Sequence, residues 1–145
     1  MRNQTFFVEG PESLAVTVDN ILKSFPNCKI FLLEGNLGSG KTTLVKYFCQ
    51  KLNYTGMVNS PTYSIINEYE VESQTIYHMD LYRLKNREEV LDIGIEEYFY
   101  SNMYCFIEWP ELVKNMIYEP YLTCQIENTG EFSRNIHCWF HSNEN

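Results

Sequence analysis

The run Ile30-Phe31-Leu32-Leu33-Glu34-Gly35-Asn36-Leu37-Gly38-Ser39-Gly40-Lys41-Thr42-Thr43 decides the fold. Ile30–Leu33 is a short, continuous apolar stretch, the mark of a buried strand. Gly35–Thr42 matches the pattern G-x-x-x-x-G-K-[ST] at every position. Glycines at these places let the backbone turn tightly and point its N–H groups inward. Leu44, Val45, Phe48, Cys49 and Leu52 then recur at helical spacing, which predicts a helix from about Lys41 to Leu52. A helix starting there adds its positive end to the same cavity. Lys41 supplies a mobile charge for the β- and γ-phosphates of a nucleotide, and the Thr42 hydroxyl suits Mg²⁺. The candidate nucleotide contacts are therefore Gly35, Asn36, Leu37, Gly38, Ser39, Gly40, Lys41, Thr42 and Thr43.

Outward from this loop, the chain alternates between strand-like and helix-like segments. Thr5–Val8 reads as a short strand, and Pro11-Glu12-Ser13 opens a helix with Leu14, Val16, Val18, Ile21 and Leu22 as its apolar positions. Asn59–Thr62 is a loop. Tyr63–Val71 and Gln74–Met79 read as a hairpin turning at Glu72-Ser73. Helices are expected from about Arg87 and near Ile95–Tyr100, then an apolar run at Met103–Ile107. Leu122–Glu127 and Asn135–Phe140 look like a closing pair of strands. The reading is one α/β domain over residues 1–145, of P-loop NTPase fold, with a mixed β-sheet flanked by helices.

A phosphate loop that hydrolyses its nucleotide needs carboxylates to organise the metal and the attacking water. Ligands gather at the C-terminal edge of an α/β sheet. Two acids end candidate strands there: Glu108 after Met103–Ile107, which resembles a Walker B strand, and Asp80 after Thr75–Met79. Either suits Mg²⁺, and either suits orientation of the nucleophile. Thr62, in the rigid Ser60-Pro61-Thr62 loop, occupies a place where a hydroxyl senses the γ-phosphate or the metal. His78 alternates with apolar neighbours and reads as a core histidine. Trp109 follows Glu108 directly and reads as packing or as a gate over the site. His137, Cys138 and His141 make a poor metal set, because alternation along a strand points His137 and Cys138 to opposite faces.

Composition narrows the function class. The chain has 145 residues and 11 basic against 19 acidic side chains, a formal charge of −8. That balance argues against a broad direct grip on nucleic acid, which relies on clustered Lys and Arg. Five cysteines, an odd number with no C-x-x-C pair, read as reduced core thiols. Met1–Gly10 contains no apolar signal core, and no stretch approaches the ~20 apolar residues of a membrane span. A cytoplasmic chain with no membrane partner is expected.

The motifs together resemble one family. Gly35–Thr43 (GNLGSGKTT), Ser60–Tyr63 (SPTY), Asn67-Glu68-Tyr69, His78–Leu84 (HMDLYRL), Leu91–Tyr98 (LDIGIEEY) and Ile107–Glu111 (IEWPE) follow the order and spacing of the TsaE family. TsaE is the ATPase of bacterial tRNA threonylcarbamoyladenosine (t6A) biosynthesis. The resemblance implies weak ATP hydrolysis alone, and action with a TsaD–TsaB pair of which TsaD is the threonylcarbamoyl transferase. It implies contact with tRNA only through that complex. By motif it assigns Lys41 and Thr42 to phosphate and Mg²⁺, Thr62 to a switch-like role, Asp80 and Glu108 to metal and catalytic positions, and Trp109 to the vicinity of the nucleotide. In this family the region matching Glu9–Leu14 helps seat the adenine; its match here is loose, as is that of the segment after Gly130.

Two other readings share the phosphate loop. A small-molecule kinase commonly covers the γ-phosphate with an Arg-bearing lid, and the four arginines here, Arg2, Arg83, Arg87 and Arg134, are not clustered as a lid needs. A non-hydrolytic nucleotide-dependent adaptor would keep Lys41 and Thr42 but have no use for Glu108.

Overall fold

The computed structural model describes residues 3–142, so Arg2 lies outside the described residues. Among the described residues seven strands and four helices follow in the order β1 (Asn3–Glu9), α1 (Pro11–Ser24), β2 (Ile30–Glu34), α2 (Lys41–Lys51), β3 (Ile66–Val71), β4 (Gln74–Asp80), α3 (Arg87–Asp92), α4 (Ile95–Phe99), β5 (Tyr104–Glu108), β6 (Tyr121–Asn128) and β7 (Ser133–His141). Two 3-10 turns, Pro110–Leu112 and Lys114–Met116, link β5 to β6.

All seven strands form one mixed sheet in the order β1-β7-β6-β2-β5-β4-β3. Its centre is parallel: β2 lies between β6 and β5, and β4 runs parallel to β5. The margins are antiparallel, with β3 against β4 on one side and β7 and β1 beyond β6 on the other. Parallel strands are buried on both faces, and β2 accordingly buries all of Ile30–Leu33. Alternation divides that run between two cores. Phe31 and Leu33 face α1 and α2, packing with Ile21, Leu44, Phe48 and Phe106. Ile30 and Leu32 face the other side, with Met79, Ile107, Val90 and Ile95 under α3 and α4.

The β2–loop–α2 unit is as the sequence predicts, and so is the hairpin turn at Glu72-Ser73, where Ser73 has φ 69°. Several segments differ, and the closing strands β6 and β7 run one or two residues beyond Leu122–Glu127 and Asn135–Phe140 at each end. The first hairpin strand begins at Ile66 rather than Tyr63. Residues 62–64 turn, the Ile65 N–H closes onto the Pro61 carbonyl at 2.6 Å, and Ile65 has φ 70°, so the pleat cannot start earlier. Val16, an apolar position of α1, is 60% exposed, because Val18 and Ile21 fill the contact with the sheet. The first strand is longer than Thr5–Val8, because every residue from Asn3 to Glu9 pairs with β7. That last pairing joins segments more than 120 positions apart and leaves no local signal.

Candidate functional site

Connecting β2 to α2, Gly35–Gly40 crosses the C-terminal edge of the sheet. Gly40 sits in the left-handed region at φ 106°, which L side chains rarely adopt, and α2 begins directly after it. No side chain caps that helix, so its first-turn N–H groups are left facing the loop. At Gly35 a Cβ would meet Ser39 Oγ at 2.5 Å and the Ile126 carbonyl at 3.1 Å, so the loop closes on itself only around glycine. Ser39 Oγ is buried inside this turn without a protein partner.

Strand order brings the acids to the same edge. Asp80 and Glu108 are register partners at the ends of the parallel neighbours β4 and β5. Register partners share a face, and Phe106, two residues before Glu108, lies in the core under α2. Both carboxylates therefore open toward the start of α2. The Thr42 hydroxyl donates to Glu108 Oε2 at 3.0 Å, and the Thr62 hydroxyl donates to Asp80 Oδ2 at 3.0 Å. The Tyr82 N–H fixes the other oxygen of Asp80 at 3.0 Å. Lys41, Asp80 and Glu108 are all buried, at 5%, 4% and 3% exposure. An ionised group so placed is costly unless it is hydrogen-bonded or paired.

Lys41 Nζ donates to the Gly35 carbonyl at 2.7 Å and the Asn36 carbonyl at 3.1 Å. It also stands 4.1 Å from the centre of the Trp109 ring, a cation–π contact. Burial pushes the Lys41 ammonium below its ordinary pKa, and the nearby carboxylates of Glu108, Asp80 and Glu111 partly oppose that push. Trp109 has φ 55° and ψ 63°, and it precedes a proline, which ordinarily drives a residue to extended geometry. Such a backbone costs about 1–3 kcal/mol and persists only where surroundings hold it. Here the Tyr82 ring packs on Trp109 at 4.9 Å, and Pro110 is buried behind it.

A cleft of about 310 Å³ unites these groups: Gly38, Gly40, Lys41, Thr42 and Thr43 from the loop and helix, Thr62 from its own loop, and Asp80, Glu108 and Trp109 from the sheet edge. Leu37 also lines it, while Gly35, Asn36 and Ser39 line an adjoining recess against β6. The expected residues thus gather around the start of α2, with Gly35, Asn36 and Ser39 in the adjoining recess. A second cavity, of about 230 Å³ and mostly apolar, adjoins the back of the loop between Val8, Pro11, Leu14, Tyr47, Phe132 and Arg134. Arg134 Nε donates to the Ser39 carbonyl at 3.1 Å, tying β7 to the phosphate loop. Arg134 belongs to no motif in the sequence, because it reaches the loop through strand order; Tyr47 lies on α2 and lines the cavity.

His78 does more than fill the core. It is fully buried, as a core histidine should be, yet its Nε2 lies 2.6 Å from Glu108 Oε2. The one available signal was its spacing: His78 precedes Asp80 by two residues and so shares its face. His137 and His141 lie elsewhere, His137 against Thr5 and Glu127, and His141 stacked on Tyr121.

A strand–glycine loop–helix unit, with carboxylates ending the two strands to one side of it, is the P-loop NTPase fold. Within that class, the family model described as "Threonylcarbamoyl adenosine biosynthesis protein TsaE" matches residues 8–136, and the chain belongs to the TsaE family. It is 40% identical over 107 residues to the tRNA threonylcarbamoyladenosine biosynthesis protein TsaE of Bacillus subtilis, a match covering 74% of this chain and 66% of that protein. It is 40% identical over 104 residues to the Haemophilus influenzae protein of the same description, covering 72% of this chain and 65% of the relative. The match thus spans just under two-thirds of each relative's length. The crystal structure of Bacillus subtilis YdiB superposes with a TM-score of 0.74 at 29% identity, covering 94% of this chain and 84% of that one.

Proposed function

We propose that the chain is the ATPase of the t6A modification machinery, that it binds Mg-ATP in the 310 Å³ cleft, and that hydrolysis there supports turnover of a TsaD–TsaB transferase complex in the cytoplasm. Hydrolysis is weak alone and stimulated by the partner pair, and tRNA is met only through the complex. One observation carries the reading: buried Asp80 and Glu108 are paired in register beside the start of α2, each holding a hydroxyl of a different loop, Thr62 and Thr42.

The donor set fits the group. The uncapped start of α2, Lys41 and the unpartnered Ser39 Oγ together suit a chain of anionic oxygens. Thr42, Asp80 and Glu108 would hold the cation, an all-oxygen set of the kind that Mg²⁺ takes. When bound, the cation neutralises charge developing on the β- and γ-phosphate oxygens. Lys41 adds a fixed positive charge beside them, and Glu108 or Asp80 orients the attacking water. Thr62, bonded to Asp80, reads the γ-phosphate. Trp109 covers Lys41 from above. The apolar cavity beside Pro11 and Leu14 takes the adenine, in keeping with the segment that seats it in the family.

The described residues lining the cleft include a lysine and no arginine, which favours a hydrolase over a kinase with an Arg-bearing lid. Arg83 lies instead over the Tyr63 ring at 5.4 Å. The test is phosphate release from ATP with and without TsaD–TsaB, with small hydroxyl acceptors offered in parallel. Stimulation by the pair is expected. Hydrolysis indifferent to the pair would sink this reading, and a phosphorylated acceptor would replace it with the kinase.

A further inference from the structure

The loop Asn59–Thr62 is tied to the two carboxylates by separate routes. At one end Thr62 binds Asp80 directly, and Ser60 Oγ lies 2.7 Å from the Thr62 hydroxyl. From the other end, the Asn67 side-chain amide donates to the Asn59 carbonyl at 3.1 Å and to the Tyr69 hydroxyl at 3.5 Å, and that hydroxyl lies 2.9 Å from His78 Nδ1. His78 Nε2 then meets Glu108 Oε2 at 2.6 Å. The inner members of this second route are at least nine-tenths buried: Tyr69 is 5% exposed, His78 0% and Glu108 3%.

Donors and acceptors order the chain. A carboxylate oxygen only accepts, so Nε2 carries the hydrogen that reaches Glu108. Tyr69 has one hydrogen and two acceptors in range. Nδ1 is the nearer, and the Asn59 carbonyl already receives the Asn67 side-chain amide at 3.1 Å. The hydroxyl therefore donates to Nδ1 and fixes the imidazole in the tautomer that donates to Glu108, as a partner on the far nitrogen does for a liganding histidine. Tyr69 is held in turn by the Tyr54 ring at 4.9 Å. A buried polar chain of this kind is stable only when each member is satisfied, and here each is.

We propose that His78, oriented by Tyr69, is a positioning residue that fixes the Glu108 carboxylate for hydrolysis and couples it to the Asn59–Thr62 loop; this rests on the ATPase reading above. The loop thereby acts on both carboxylates at once, on Asp80 through Thr62 and on Glu108 through Asn67, Tyr69 and His78. It is flanked by two exposed apolar side chains, Met57 at 75% and Tyr63 at 87% exposure. A contact made on that segment reaches the reacting end of the cleft without entering it.

The test compares Tyr69→Phe, which removes one oxygen atom, with His78→Leu and His78→Gln, in phosphate-release assays with the partner pair and in nucleotide-binding titrations. Tyr69→Phe is expected to lower kcat roughly fivefold with KM for ATP within about twofold, the size of one lost hydrogen bond. His78→Leu is expected to lower kcat about 100-fold, and His78→Gln, which keeps an N–H donor near the Nε2 position, to recover about tenfold of that. Tyr69→Phe at the wild-type kcat overturns the proposal, even if the His78 variants fail to fold. So does a His78→Gln variant no better than His78→Leu, with affinity and kcat falling together, which marks a packing residue. A second readout is independent of hydrolysis. Nitrogen-15 spectra of the imidazoles, with only three histidines to assign, are expected to show His78 as a single Nε2–H tautomer whose Nδ1 resonance moves in Tyr69→Phe. A tautomer mixture indifferent to that substitution overturns the bridge. Wild-type protein that releases no phosphate with the pair, yet shows the fixed tautomer, refutes the ATPase reading and leaves the bridge standing.

Discussion

Glu108→Gln separates chemistry from scaffolding because it removes a charge and almost no volume. In the native site Oε2 accepts from two side chains, His78 Nε2 at 2.6 Å and Thr42 Oγ1 at 3.0 Å. A glutamine can turn its carbonyl oxygen to that position and keep both donors. The bonds then lose their charge assistance, which roughly halves their strength. At about 0.5–1 kcal/mol for each, the substitution costs about 1–2 kcal/mol of stability. For a chain of this size that lowers Tm by about 2–8 °C, which circular dichroism melts would resolve. Nucleotide affinity is expected to stay within about threefold, since Lys41, the phosphate loop and the apolar cavity beside Pro11 are untouched. Turnover behaves differently. A group that orients or deprotonates the attacking water contributes about 10²–10⁴-fold, so kcat measured with the partner pair is expected to fall at least 100-fold, about 2.7 kcal/mol of barrier. Hydrolysis within threefold of wild type, in a variant that melts in the stated range and binds nucleotide normally, would refute the role given to Glu108. It would shift the water-orienting role to Asp80.

Lys41→Ala removes the ammonium that faces the cleft and bridges Trp109 to the loop, and equilibrium titration is expected to show ATP affinity lowered at least tenfold. Thr62→Ala deletes the hydrogen bond to Asp80 and is expected to cut kcat about tenfold with little change in nucleotide binding, whereas Thr62→Ser restores most of the rate because it keeps the hydroxyl. Phe31→Ala empties the centre of a stack in which Phe31 contacts the rings of Phe48 at 5.2 Å and Phe106 at 5.1 Å, and denaturant unfolding is expected to register a loss of about 3–5 kcal/mol. Gly40→Ala forces a side chain to φ 106° in open space, so the expected loss is about 1–2 kcal/mol of stability from backbone strain rather than clash, read as a lowered Tm.

What the sequence made legible was whatever chemistry keeps within one local segment. The phosphate loop announces itself because glycine, lysine and threonine must stand at fixed offsets for one turn to cradle oxygens. Asp80 and Glu108 were visible as the last residues of apolar runs, a place that strand geometry alone marks as an edge. The start of β3 was not visible, since Tyr63-Ser64-Ile65 has strand-like composition and only the closure of Ile65 onto Pro61 bends it away. Arg134 was hidden for another reason. Its reach to Ser39 depends on β7 lying outside β6, and nothing near residue 134 encodes that neighbour.

Strand order is also what turns two acids into one site. Had β4 and β5 been separated by another strand, Asp80 and Glu108 would stand about 10 Å apart, since neighbouring strands lie about 4.8 Å from each other. Adjacent and in register, they share a face and an edge, and the same parity brings His78 onto that face two residues below. The imidazole then spans from the β4 backbone to the β5 carboxylate, which an aliphatic residue at that position would leave with Thr42 alone on Oε2. A histidine at position 78 is therefore explained by a requirement two strand residues farther on. The buried carboxylate at the edge needs a buried donor, and the only face able to supply one from β4 is the face that already carries Asp80.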